Sequence, residues 1–182
     1  MPLIGLAGAS RAGKDVIASM MAAKHGYTRH ALATPLKDLC QGMFGLSDEQ
    51  VHGGLREVVD ARYNMTPRRI LQTVGTDCVR AISPDHWVDA FEATHFPLDF
   101  RAKVVVTDIR FQNEADAIKR LGGSVFLVTR ECCDACDRHA SEQAHLIQGV
   151  DGVIRNVGTI DDLLLMAQRV IGLPWEVRAT ST

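Results

Sequence analysis

Apolar residues along this chain recur in two rhythms. Leu3 to Ala7 is a short unbroken apolar run that closes in a glycine-containing turn. Behind it Val16, Ile17, Met20 and Met21 return at helical spacing from about Asp15 to Lys24, up to a stop at Gly26. The pattern predicts strand, loop, helix. Lys103 to Thr107 (KVVVT) and Ser124 to Thr129 (SVFLVT) are continuous apolar runs rich in β-branched residues, as expected of strands buried on both faces of a parallel sheet. A helix is expected between them at about 112–121, ended by Gly122 and Gly123, and Gly152 to Arg155 reads as a further short strand. Thr159 caps a last helix at about 160–171, whose first turn carries Asp161 and Asp162 where the helix dipole favours negative charge.

Three more helix starts share one device, a hydroxyl residue followed by proline: Thr34 and Pro35, Thr66 and Pro67, Ser83 and Pro84. The hydroxyl can cap free amides, and proline suits the first helical position because its missing donor is not needed there. Helices are therefore expected at about 35–44, 67–82 and 84–94. With the polar segment 47–63 they make a helical insertion over about 27–100. Strands alternating with helices around it indicate an α/β protein with a parallel sheet.

Composition narrows the class. A chain of 182 residues, 46% hydrophobic and 23% charged, is expected to form a single domain over 1–182, able to bury a core without disulfides or a structural metal. Its apolar runs fall short of the roughly 20 residues that span a bilayer, and the first residues lack a basic stretch followed by a long apolar one. That leads to the expectation of a cytoplasmic protein, in the host cytoplasm if it is viral, with no membrane partner. A net charge of −2 argues against a protein that coats polymeric nucleic acid. Of the 20 basic residues, however, 15 are Arg, the side chain suited to bidentate phosphate recognition.

The strongest local signal is Gly8, Ala9, Ser10, Arg11, Ala12, Gly13 and Lys14, which fits GxxxxGK between an apolar strand and an amphipathic helix. Glycines let the backbone wrap so that its amides face phosphate oxygens, the helix dipole adds attraction, and Lys14 reaches the β and γ phosphates. Asp15 follows where such loops usually carry Ser or Thr. It reads either as a Mg²⁺ ligand acting through water or as a helix cap. Asp108 stands at the carboxyl end of VVVTD, the sheet edge where ligands of open α/β folds gather. It reads as part of a metal shell, as an acceptor for a substrate hydroxyl, or as a cap. Phosphoryl transfer also needs cations against charge on the moving group. Arg110, Arg130 and Arg138 fall at or beyond strand ends, and Lys37, Arg68 and Arg69 at the starts of insertion helices. Trp87 and Phe111 offer faces for a base, against core packing, and Gln72 an amide for a base edge, against a solvated helix face.

The strings GLAGASRAGKD, ATPLKDL, PRRILQTVGTDCVRAISPDHWV, VVVTDIRFQNEADAI and HASE, in this order and spacing, resemble the phage deoxynucleoside monophosphate kinases, a branch of the P-loop kinases, over about residues 3–171. The resemblance implies a three-layer α/β/α P-loop fold with a helical acceptor-binding insertion and a lid at about 130–145. It implies transfer of the ATP γ phosphoryl group to a deoxynucleoside monophosphate, with ATP and Mg²⁺ required, and suggests a homodimer. By position, Gly8 to Asp15 would hold ATP, while Lys37, Arg68, Arg69, Gln72, Thr76 and Trp87 would face the acceptor. Asp108 and Arg110 would lie between the nucleotides, and Arg130 to Glu142 would form the lid. Lys14, Arg110 and Arg130 are the catalytic candidates, and Asp15 and Asp108 the metal candidates. Many members follow GKD with Thr, whereas this chain has Val16.

Rival readings are a P-loop kinase for another small acceptor, such as dephospho-coenzyme A or a sugar, and a nucleotide-binding switch without a small acceptor. A switch does not need the cations of the insertion. Cys132, Cys133, Cys136 and His139 contain a CxxC with metal-ligand spacing, but adjacent cysteines rarely turn toward one ion and no second CxxC exists. They are read as surface thiols ahead of a zinc site or a redox pair, and Cys40 and Cys78 as reduced core residues.

Overall fold

The structure is a computed structural model that describes residues 3–95, 102–130 and 144–174. Its contacts divide the chain into two compact units. The first lies within Met1–His30, Leu98–Arg138 and Glu142–Thr182 and holds a five-stranded sheet, β1 (Leu3–Ala7), β2 (Thr28–His30), β3 (Val104–Ile109), β4 (Ser124–Thr129) and β5 (Gly152–Arg155). The order is β2-β3-β1-β4-β5 and all pairs are parallel. The glycine-rich loop therefore leaves the middle strand.

Period-two alternation decides which side of β1 meets which helix. Ile4 and Leu6 join a cluster with Ile17 and Met21 of α1 (Lys14–His25) and with Leu163 and Ala167 of α8 (Ile160–Ile171). Gly5 faces the other way, where a Cβ would meet Ile109 and Ile118 at 3.1 and 3.4 Å; Ile118 belongs to α7 (Gln112–Arg120). Helices thus cover both faces of the sheet, giving the expected three layers. Fully buried Val105 and Val106 explain why β3 reads as an unbroken apolar run. The Gly26 turn at φ 69° and the capping box of Thr159 with Asp162 end α1 and start α8 as expected.

The second unit, Ala31–Pro97 with His139–Ser141, is helical where described: α2 (Thr34–Phe44), α3 (Asp48–His52), a 3₁₀ turn (Gly54–Glu57), α4 (Pro67–Gln72), a π-helical stretch (Thr73–Val79), α5 (Arg80–Ile82) and α6 (His86–His95). Its irregular part is fastened by Asp60, 8% exposed, which accepts from Gln50 Nε2 at 2.7 Å and from Arg62 through its backbone N–H, Nε and NH2 at 2.9, 3.0 and 2.6 Å. These donors hold the Asp60 carboxyl well below the usual carboxylate range. Arg62 reaches on to the Gly45 carbonyl, and the Tyr63 hydroxyl donates to the Phe44 carbonyl at 2.7 Å.

Thr34 does not cap α2: a turn closed by Thr34 N–H on the Ala31 carbonyl runs straight into the helix, so Ala33 is the cap residue and Thr34 is already helical. Thr66 does cap α4, accepting from Arg69 N–H at 3.2 Å. After Pro84 a turn intervenes and α6 begins at His86, two residues late. Strand β2 was not expected at all, because Thr-Arg-His carries no apolar pattern; pairing with β3 alone makes it a strand. Cys78 is exposed rather than core, whereas Cys40 is buried and its thiol is pushed up to about 11 by burial.

A candidate phosphate-transfer site

The loop after β1 is shaped by residues that leave no room for alternatives. Gly8 sits at φ 139°, and a Cβ there would run into the Val128 carbonyl of neighbouring β4. Gly13 at φ 111° is closed in by Leu163 and Asn156, whose atoms would lie 2.7 and 2.9 Å from a Cβ. Arg11, at φ 64°, is a non-glycine residue in the left-handed region, so the loop stores local strain where it turns.

Gly13 is the cap residue of α1 and supplies no side-chain cap. The first amides of that helix therefore face the loop without a side-chain oxygen of their own, and anions favour such ends. Lys14 is 8% exposed, and its Nζ donates to the carbonyls of Gly8 and Ala9 at 2.7 and 2.6 Å. The loop grips its own cation, which is thus preset at the mouth of the turn.

A hollow of about 410 Å³ opens beside the loop, lined by Arg11, Lys14, Asp15 and Val16 together with Arg130, Asn156 and Ile160. Sequence reading missed Asn156. Its Nδ2 donates to the Ala12 carbonyl at 2.9 Å, pinning the loop from a residue 144 positions away. Only folding brings β5 and the loop together, so no local signal marks it. Asp15 is 79% exposed and pairs with Arg29 NH2 at 2.7 Å, while Arg29 NH1 donates to Ser19 Oγ at 2.9 Å.

Asp108 comes next to the loop through register. Ala7 pairs with Ile109 but Gly5 pairs with Val106, so β3 carries one extra residue there, a bulge at Thr107 and Asp108. Bulges re-aim side chains and collect near active sites. The turn behind it is fixed by Glu114, 4% exposed, whose Oε2 accepts from the backbone N–H of Arg110 at 2.8 Å and of Phe111 at 3.1 Å. Glu114 was also missed, although a Glu three residues into α7 is a legible capping signal. Asp108, Arg110 and Phe111 are each half-buried.

In the helical unit the expected acceptor cations each meet a different local partner. Lys37 Nζ lies 3.4 Å from His52 Nδ1, and Arg68, with 15% of its side chain exposed, donates to Glu57 Oε1 at 2.9 Å. Arg69 meets Asp77 at 3.5 Å, and Gln72 and Thr76 are half-buried on α4 and the π stretch. Trp87 is 7% exposed and its Nε1 donates to the Gly75 carbonyl at 3.0 Å, which packs the indole against the π stretch. Arg138, Glu142, Cys132, Cys133, Cys136 and His139 lie outside the described residues. Among the described residues no group of three or more His, Cys, Asp or Glu could hold a metal, and no helix is long and apolar enough to cross a membrane.

A family model of deoxynucleotide monophosphate kinase matches residues 46–166. A protein of Acanthamoeba polyphaga mimivirus named for that activity is 39% identical over 178 residues, covering 89% of this chain and 92% of its own length. The deoxynucleotide monophosphate kinase of Escherichia phage RB69 is 27% identical over 136 residues, covering 72% of this chain; the chain spans 55% of that protein. Among solved structures, dephospho-CoA kinase from Campylobacter jejuni superposes with a TM-score of 0.50 at 14% identity, over 94% of this chain and 96% of its own, a likeness of fold alone.

Proposed function

The chain belongs to the deoxynucleotide monophosphate kinase family, and from that premise we propose that it transfers the γ phosphoryl group of ATP to a deoxynucleoside monophosphate through the residues described above. The observation that carries the residue assignment is the preset Lys14 ammonium at the uncapped start of α1, beside a hollow flanked by Arg11 and Arg130. The loop amides and Lys14 bind the β and γ phosphates of ATP. To do so the ammonium exchanges its two carbonyl partners for phosphate oxygens, and a charge-assisted bond replaces neutral ones. The hollow takes the rest of the donor nucleotide, with Asn156 keeping the loop in shape.

Lys37, Arg68 and Arg69 hold the acceptor phosphate, and Gln72 and Thr76 meet its base. Arg110 and Arg130 neutralise charge on the moving group, which suits a reaction whose catalysis is mostly positioning and electrostatics. Asp108 orients the attacking phosphate or the metal shell. Oxygen donors from Asp15 and Asp108 fit Mg²⁺, which when bound screens charge on the phosphates. Asp15 is open to solvent and would hold the ion through water while keeping its contact with Arg29.

Coupled ADP release across the four common deoxynucleoside monophosphates tests the reading. At least one is expected to stimulate ADP formation, and Lys14→Met to lower kcat/KM by about 10²–10³ with the fold intact. Absence of stimulation by all four overturns the substrate class; an undiminished Lys14→Met overturns the site.

A further inference from the structure

We propose that Trp87 is a positioning residue for acceptor recognition, its indole N–H holding the π-helical stretch Thr73–Val79 in the shape that presents Gln72 and Thr76. The inference rests on the acceptor reading above and adds to it a residue that touches no substrate.

A buried tryptophan must find an acceptor for its single N–H. Here the indole crosses from α6 to the backbone of the preceding helix, 12 residues back, and binds the Gly75 carbonyl at 3.0 Å. In an ordinary α-helix that carbonyl would be committed to the amide four residues on. A π-helical stretch shifts this pairing to the fifth residue, and such stretches are rare and frequent at functional sites.

Gly75 is held from a second side. A Cβ on it would strike the Leu36 side chain, so α2 packs onto the stretch at the one position with no side chain. Lys37 follows Leu36 directly, Thr76 follows Gly75, and Gln72 lies three residues before it. Arg69 and Asp77 bridge the stretch lengthwise at 3.5 Å. Fixing Gly75 between Trp87 and Leu36 therefore ties the candidate phosphate cation on α2 to the candidate base contacts on the π stretch. The ring also meets His86 edge to face, with centroids 4.8 Å apart.

The chemistry implied is recognition of a nucleobase edge by an amide and a hydroxyl, both sensitive to small displacements. Trp87→Phe removes the donor and keeps an aromatic ring. It is expected to raise the KM for the deoxynucleoside monophosphate roughly 5- to 20-fold while the KM for ATP stays within about twofold. Gly75→Ala should raise the same constant, and adding Leu36→Ala should bring it back toward the wild-type value by making room.

A binding readout stands apart from turnover. With Trp175→Phe in place Trp87 is the only tryptophan, and its emission is expected to change on titration with the preferred monophosphate but not with ATP. A folded Trp87→Phe with an unchanged acceptor KM, or with both KM values raised alike, overturns the proposal. If that variant does not fold, constant Trp87 emission at saturating acceptor overturns it. A wild-type protein that no monophosphate stimulates would instead bring down the acceptor reading itself.

Discussion

Glu114 illustrates how one side chain sets the geometry of a site it never enters. Its carboxylate satisfies two successive amides, Arg110 and Phe111, at the turn where β3 hands over to α7. Leaving a fully buried amide without an acceptor costs about 1–3 kcal/mol, and these half-buried ones somewhat less, whereas a surface ion pair is worth less than about 1. Glu114→Ala is therefore expected to lower stability by about 1–3 kcal/mol in urea unfolding and to reduce kcat by loosening Arg110. Glu114→Gln, which keeps one acceptor oxygen, should recover most of the stability. Equal losses for both variants would show that the negative charge, rather than the hydrogen bonds, holds the turn.

At the scale of elements, the irregular segment between α2 and α4 depends on Asp60 being ionised. Its folded pKa lies below the unfolded value, because Arg62 and Gln50 bond the charged form. Such a group contributes stability that is fully present above the unfolded pKa of about 4 and is lost as pH falls below it toward the folded value. Thermal unfolding followed from pH 7 to pH 3 should show a decline below about pH 4 that is smaller in Asp60→Asn, which starts lower and titrates less. Parallel curves for the two proteins would mean that other carboxylates dominate.

The elements also differ in how legible they were. β3 and β4 carry unbroken apolar runs, and α8 carries a cap, acids in its first turn and a terminal glycine, so local signals agree. β2 has three residues of which two are exposed, and nothing but its partner makes it a strand. The π stretch hides inside a helix whose ends, 67 and 82, were expected correctly. Its signal, a glycine between threonines, does not specify a wider turn.

For the whole molecule, ligand binding supplies the clearest expectation. ATP that binds only the folded chain should stabilise it by about 2.7 kcal/mol at a hundredfold excess over Kd, a rise of roughly 5–10 °C in Tm for a chain of this size. Lys14→Met should lose most of that shift, and a full shift in the variant would place the nucleotide elsewhere.

The α/β alternation, the glycine-rich loop with Lys14 and the family are legible from residue order, because each is written in neighbouring residues: apolar runs, glycines at fixed offsets, a cation at a helix start. Tertiary structure settled that Asn156 pins Ala12 across 144 residues, that β3 carries an extra residue at Thr107 and Asp108, and that the buried Trp87 indole N–H goes to the Gly75 carbonyl. Those outcomes rest on buried polar groups finding partners, and partners distant in the chain leave no mark in local periodicity.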